Sequence, residues 1–108
     1  MEFKYTYKFS ERATKDLEEI LRYIEEDLYN KSAAADLGRK IFENIDTIRT
    51  FPESGFALNN ELVSDKAVRR VAIDNYVLYY RANEANKTIE IVRIVYGKMN
   101  LEEIYRCI

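Results

Sequence analysis

Apolar and polar residues alternate at the start of the chain, where Phe3, Tyr5, Tyr7 and Phe9 interleave with Lys4, Thr6 and Lys8. Period two predicts a strand over Phe3 to Phe9 with one buried face. From Ser10 the period lengthens: Ala13, Leu17, Ile20, Leu21, Ile24 and Leu28 fall on one stripe at helical spacing. Ser10 is placed to accept a hydrogen bond from a free amide of the first turn, and Glu11 suits the positive end of the helix dipole. Glu18, Glu19, Glu25 and Glu26 lie largely off the stripe and read as a solvated face rather than as paired catalytic carboxylates. After a break at Tyr29 to Ser32, Ala34, Leu37, Ile41, Ile45 and Ile48 form a second helical stripe that Phe51-Pro52 ends. So short a break predicts an antiparallel αα-hairpin.

Glu53-Ser54-Gly55 reads as a turn, and the polar segment to Lys66 as a loop. Val68 to Ile73, Tyr76 to Ala82 and Ile89 to Tyr96 are β-branched and aromatic runs separated by Asp74-Asn75 and by Asn83 to Lys87, which predicts antiparallel hairpins. Asn100, three residues before Glu103, resembles a capping box opening a short helix that ends near Arg106. The order β-α-α-β-β-β-α predicts an α+β fold in which an antiparallel sheet packs on the N-terminal helical hairpin and a short helix closes the chain. The other sheet face is then open for binding.

Length and composition narrow the functional classes. The chain has 108 residues, enough for one core, so residues 1–108 are expected to form one domain. It is 47% hydrophobic with three glycines and one proline, unlike disordered chains. With no histidine and a lone cysteine, Cys107, the usual zinc sites lose most of their ligands. Neither metal nor cofactor is expected, Cys107 reads as inert, and acid–base chemistry would fall to Glu, Asp, Lys, Tyr or substrate groups. No apolar run approaches the length of a membrane span, and the start Met-Glu-Phe-Lys-Tyr has no apolar leader, so the expected address is the cytoplasm, away from membranes. Net charge is −2, but residues 1 to 66 hold 10 basic and 14 acidic side chains whereas 67 to 108 hold 7 and 5. A mildly basic C-terminal half suits an anionic partner, yet falls short of the field of a general nucleic-acid binder.

Five segments, in order, resemble the RelE/ParE toxin family: Tyr7 to Ile24, Phe51-Pro52-Glu53-Ser54-Gly55, Val68-Arg69-Arg70-Val71, Asn75 to Arg81, and Val92 to Lys98. The resemblance implies the toxin of a type II toxin–antitoxin pair, a fold on a curved sheet, and a cognate antitoxin that wraps it. It leaves two mechanisms open. ParE-like members inhibit DNA gyrase by binding; RelE-like members are metal-independent endonucleases that cut mRNA in the ribosome. The resemblance would make Arg70, Arg81, Tyr96 and Tyr105 the catalytic set of a nuclease, and Arg70, Arg81 and Lys98 the target contacts of either branch. The match to the nuclease pattern is partial: Val68, Val77 and Met99 stand where basic residues are implied, and Tyr96 stands where a related branch has histidine. Losing even one preorganised donor typically slows such chemistry by ~10²–10³. The depleted pattern favours ParE-like binding.

The same residues also have ordinary structural readings. Arg70 and Arg81 either line the open sheet face, as bidentate clamps for phosphate or carboxylate, or form cross-strand pairs with glutamates such as Glu90. Arg93 falls either on the apolar face of Ile89, Ile91 and Val95, where it calls for a buried salt bridge to a helix acid, or on the edge of the functional surface; the first reading is favoured. Tyr76, Tyr79, Tyr80, Tyr96 and Tyr105 fit core packing better than base stacking.

Overall fold

The computed structural model describes residues 4–58, 61, 63, 67–99 and 101–108. The expected start of the first strand at Phe3, the cap at Asn100 and the side chain of Cys107 lie outside this set. Strand β1 (Thr6–Phe9) passes through Ser10 into helix α1 (Glu11–Arg22). Ser10 ties this junction together. Its Oγ accepts the Ala13 N–H at 3.0 Å and donates to the Val92 carbonyl at 3.0 Å, while its own N–H donates to the Ile91 carbonyl. The helix start is thereby both capped and stitched to the last strand.

Helix α1 runs on through one widened turn, Tyr23–Asp27, and the chain reverses at Tyr29, which adopts a left-handed φ of 51°. Asn30 then caps α2 (Lys31–Thr50) by accepting the Ala33 N–H at 2.9 Å. The break is where the periodicity puts it, and Ala34, Leu37, Ile41, Ile45 and Ile48 are all buried; the first stripe holds through Ile24, but Leu28, past the widened turn, is exposed. A short 3-10 turn, Pro52–Ser54, leads to β2 (Phe56–Ala57), followed by β3 (Arg69–Ile73), β4 (Tyr76–Asn83), β5 (Thr88–Tyr96) and α3 (Leu101–Cys107).

The sheet order is β1-β5-β4-β3-β2. Three of its pairings are antiparallel, the two expected hairpins and β2 against β3, but β1 runs parallel to β5, so the sheet is mixed. Strands β3, β4 and β5 are joined by tight turns that force antiparallel neighbours, whereas β1 meets β5 across most of the chain and no turn fixes its direction. Strand β2, inside the segment read as a loop, is two residues long and escapes periodicity altogether.

One sheet face packs on the helical hairpin, with Ile41, Ile45, Leu78, Tyr80, Ile89 and Ile91 at its centre. The other face was expected to be open, and it is partly covered: Ile104 of α3 joins Leu58, Val63, Val68, Tyr79 and Val95 in a second apolar cluster. Alternation along β5 breaks at a bulge opposite Tyr79 and Tyr80, where the partner residues jump from Arg93 to Ile91 and leave Val92 extra. Ile89, Ile91 and Ile94 therefore serve the first cluster, while Val92 and Val95 serve the second.

Strand β1 pairs with β5 only over Thr88–Ile91, so the rest of that β5 edge needs another cover. Helix α1 provides it. Buried Asp16 accepts the Ile94 N–H at 3.1 Å and receives Nε of Arg93 at 2.8 Å and Nη2 at 3.3 Å. This is the buried salt bridge to a helix acid that Arg93 called for. Removing one partner of such a pair strands the other charge, at a typical cost of about 3–5 kcal/mol. Asp16→Ala is accordingly expected to lower urea-unfolding stability by that amount, and Asp16→Asn, which keeps an acceptor, by less. A loss under about 1 kcal/mol, the range of an exposed pair, would contradict this account.

Candidate functional site

Strand pairing sets Phe56 beside Arg70 and Arg70 beside Tyr79, so these three form one row across the sheet on the face that α3 shares. Tyr105 of α3 stands edge-on to Tyr79, with ring centroids 6.1 Å apart. The Tyr79 phenol is pushed up to about 12, first by burial and then by the neighbouring Tyr105, while Arg70 and Arg93 pull it the other way. Arg70 itself is exposed, and among the described residues no carboxylate pairs with it.

The remaining candidates are distributed differently. Arg81 lies on the same face as Arg70, but its guanidinium is ion-paired with Glu90, the cross-strand alternative that the sequence leaves open, and Lys8 approaches the same carboxylate at 3.9 Å. Tyr96 is opposite Tyr76 and packs edge-on against it at 5.8 Å, on the helix-hairpin face of the sheet. Lys98 is exposed in the turn after β5, beside a small groove of about 220 Å³ shared with Asp74, Asn75 and Tyr96. The structure thus brings Arg70 and Tyr105 to one face and keeps Tyr96 off it. Among the described residues, no three His, Cys, Asp or Glu side chains converge as metal ligands, and no helix is long and apolar enough to cross a membrane.

Two features escape a reading of the sequence alone. Buried Tyr80 donates its hydroxyl to the Pro52 carbonyl at 2.7 Å and accepts the Gly55 N–H at 2.9 Å, and Arg69 Nη1 donates to the Gly55 carbonyl at 2.9 Å. A Cβ on Gly55 would sit 2.6 Å from the Tyr80 oxygen and 2.9 Å from the Arg70 carbonyl, which explains the glycine closing Phe51-Pro52-Glu53-Ser54-Gly55. Asp16 is the second. A carboxylate on the α1 stripe, between Ala13 and Ile20, is the signal that would have found it.

A groove of about 640 Å³ opens between α1 with its widened turn and the far end of the β4–β5 hairpin. Ile20, Tyr23, Leu28, Tyr76, Tyr96 and Met99 supply its apolar surface. Its charged lining residues balance, Arg12 and Arg93 against Asp16 and Glu19. Tyr23, Leu28, Tyr96 and Met99 are exposed, an apolar patch of the kind that marks a protein contact.

Comparison with known proteins agrees with this architecture. Residues 7–101 match the model of the ParE toxin of the type II toxin–antitoxin system parDE. No curated protein matches the chain. Among solved structures, the chromosomal ParDE TA system from P. aeruginosa is similar at a TM-score of 0.68 and 20% identity, over 88% of this chain and 98% of that one. The toxin–antitoxin complex RelBE2 from Mycobacterium tuberculosis is similar at 0.60 and 22%, over 86% and 98%. The archaeal RelE-RelB complex from Pyrococcus horikoshii OT3 is similar at 0.60 and 19%, over 90% and 99%.

The raised phenol of Tyr79 has a measurable consequence. Between the ordinary value of 10.0 and about 12, the unfolded chain loses this proton while the folded chain keeps it. Folding then binds the extra proton, so stability is fully present below pH 10.0 and falls as pH rises toward 12. Tyr80, also raised by burial, acts with the same sign. Urea midpoints measured across this window are expected to fall less steeply for Tyr79→Phe than for the parent chain; equal slopes would refute the assignment.

Proposed function

Because this chain belongs to the ParE toxin family and is the toxin component of a type II toxin–antitoxin system, we propose that it arrests growth by binding DNA gyrase rather than by cutting mRNA in the ribosome. The observation that carries this reading is the separation of the nuclease candidates. Arg70 and Tyr105 share the α3 face, Tyr96 is on the other side of the sheet, and Arg81 is neutralised by Glu90. Cleavage by 2′-hydroxyl attack needs several donors aimed at one phosphate, each typically worth ~10²–10³ in rate. A binding mechanism needs only a complementary surface, for which the exposed Arg70 and Phe56 are suited, with Lys98 at the sheet's end as a further contact. Acting on gyrase puts the protein in the cytoplasm.

Its partner is a cognate antitoxin, and the apolar groove beside the start of α3 suits a partner segment that folds on contact. Covering Tyr23, Leu28, Tyr96 and Met99 would remove the exposed apolar patch of the free toxin. On adding the antitoxin, hydrogen exchange within residues 68–108 is expected to slow. Unchanged exchange there would count against this placement.

The target is tested by pairing two assays on one preparation. Purified protein is expected to inhibit supercoiling or trap a cleaved gyrase–DNA complex, to leave mRNA 5′ ends in translating ribosomes unchanged, and to lose inhibition on Arg70→Ala. Cuts at the ribosomal A site that vanish with Arg70→Ala, alongside unaffected supercoiling, would replace this reading with the ribosome-dependent endonuclease.

A further inference from the structure

Phe56 is 72% exposed on a strand of two residues at the sheet's edge. So short an edge strand has little stability of its own, and an exposed phenylalanine there contributes nothing to the core. Yet the turn that delivers it is anchored by two side chains. The Tyr80 hydroxyl, reaching through from the helix-hairpin face, bonds the Pro52 carbonyl and the Gly55 N–H, and Arg69 holds the Gly55 carbonyl. Gly55 is the only residue type that lets the backbone approach Tyr80 so closely. These bonds fix the residue immediately before Phe56, and strand pairing sets Phe56 next to Arg70.

We propose that Phe56 is the apolar anchor of the toxin's contact with its target protein, working beside Arg70, and that Tyr80 is the positioning residue that holds it there. The inference rests on the binding mechanism proposed above and names the surface that carries it. Two members of the row, Phe56 and Arg70, are exposed, and both are residue types enriched at protein interfaces, while Tyr79 behind them is buried. The row's charge selects the kind of occupant. Arg70 has no acidic partner among the described residues, whereas Arg81 on the same face is already matched by Glu90. A nucleic-acid strand is normally held by several phosphate contacts, which Arg70 alone on this row does not supply. The complementary occupant is a protein surface offering one carboxylate beside an apolar pocket. Position in the sheet separates it from the antitoxin groove: β2 is one edge, while the groove opens along α1 and the β5 side.

The test uses the full chain in four variants, Phe56→Ala, Phe56→Leu, Tyr80→Phe and the double mutant of Phe56→Ala with Tyr80→Phe, with four readouts: gyrase inhibition, growth arrest in cells, affinity for the cognate antitoxin and the unfolding midpoint. Phe56→Ala is expected to weaken inhibition and growth arrest at least about tenfold, as truncation of an interface hot spot does, with antitoxin affinity unchanged. Tyr80→Phe leaves the Pro52 carbonyl and Gly55 N–H without partners, so it lowers the unfolding midpoint and weakens inhibition in the same direction. A purely structural tyrosine would weaken the toxin equally in either background. A positioning tyrosine has no further effect on inhibition once Phe56 is alanine, although the midpoint still falls; Phe56→Leu, keeping an apolar anchor, restores most of the loss. Full toxicity of Phe56→Ala overturns the proposal, as does an equal loss of antitoxin binding. Additive losses in the double mutant overturn the role of Tyr80. If the parent chain leaves gyrase untouched, the gyrase reading fails by itself, and growth arrest by Phe56→Ala still decides the anchor.

Discussion

The carboxylate of Asp16 is the point at which the helical layer and the sheet become one structure. Strand β1 covers only the first half of the β5 edge, and α1, launched from the end of β1 by Ser10, has to close the remainder. It does so with one buried side chain that accepts the Ile94 N–H and two guanidinium hydrogen bonds from Arg93, with Arg12 approaching at 3.5 Å from the solvent side. An amide and a guanidinium would each be costly to bury alone. Together they surround one anion, and among the described residues no buried side-chain polar atom lacks a partner.

The bulge in β5 belongs to the same arrangement. By inserting Val92 it turns Val92 and Val95 toward the α3 face while Ile94 stays with the hairpin core, so one strand serves two apolar clusters. That lets α3 dock through Ile104 and Tyr105, and the docked helix buries Tyr79 and raises its phenol. The cover stops short of Arg70 and Phe56. What is left exposed at the β2–β3 edge is therefore defined by how far α3 and its neighbours reach across the sheet.

The contact surface proposed above has to be held in place without being buried. The described residues do this with contacts made from the far side of the sheet: Tyr80 fixes the turn before Phe56 from beneath, and the β3–β4 ladder holds Arg70 opposite Tyr79. Salt bridges play little part here. Most of the ion pairs, such as Arg39 with Asp36 and Glu43, are exposed on helix surfaces, where each typically contributes well under 1 kcal/mol.

Local pattern was enough to locate both helices, the cap of the first at Ser10, the break near Tyr29, the three long strands and the tail helix, because periodicity and turn chemistry act over a few residues. Family resemblance in five ordered segments also carried the toxin assignment. Three things depended on the folded chain. The direction of β1 against β5, a pairing between the two ends of the chain, is imposed by no local turn. The bulge cancels the alternation that would put Arg93 in line with Ile89, Ile91 and Val95, and only the folded sheet decides where the extra residue falls. The partners of Arg93, Arg81 and Gly55 lie 77, 9 and 25 residues away, at Asp16, Glu90 and Tyr80. A residue's type announces that a buried charge or a close-packed glycine needs a partner; which side chain answers is settled by contacts that exist only once the sheet and the helical hairpin have closed on each other.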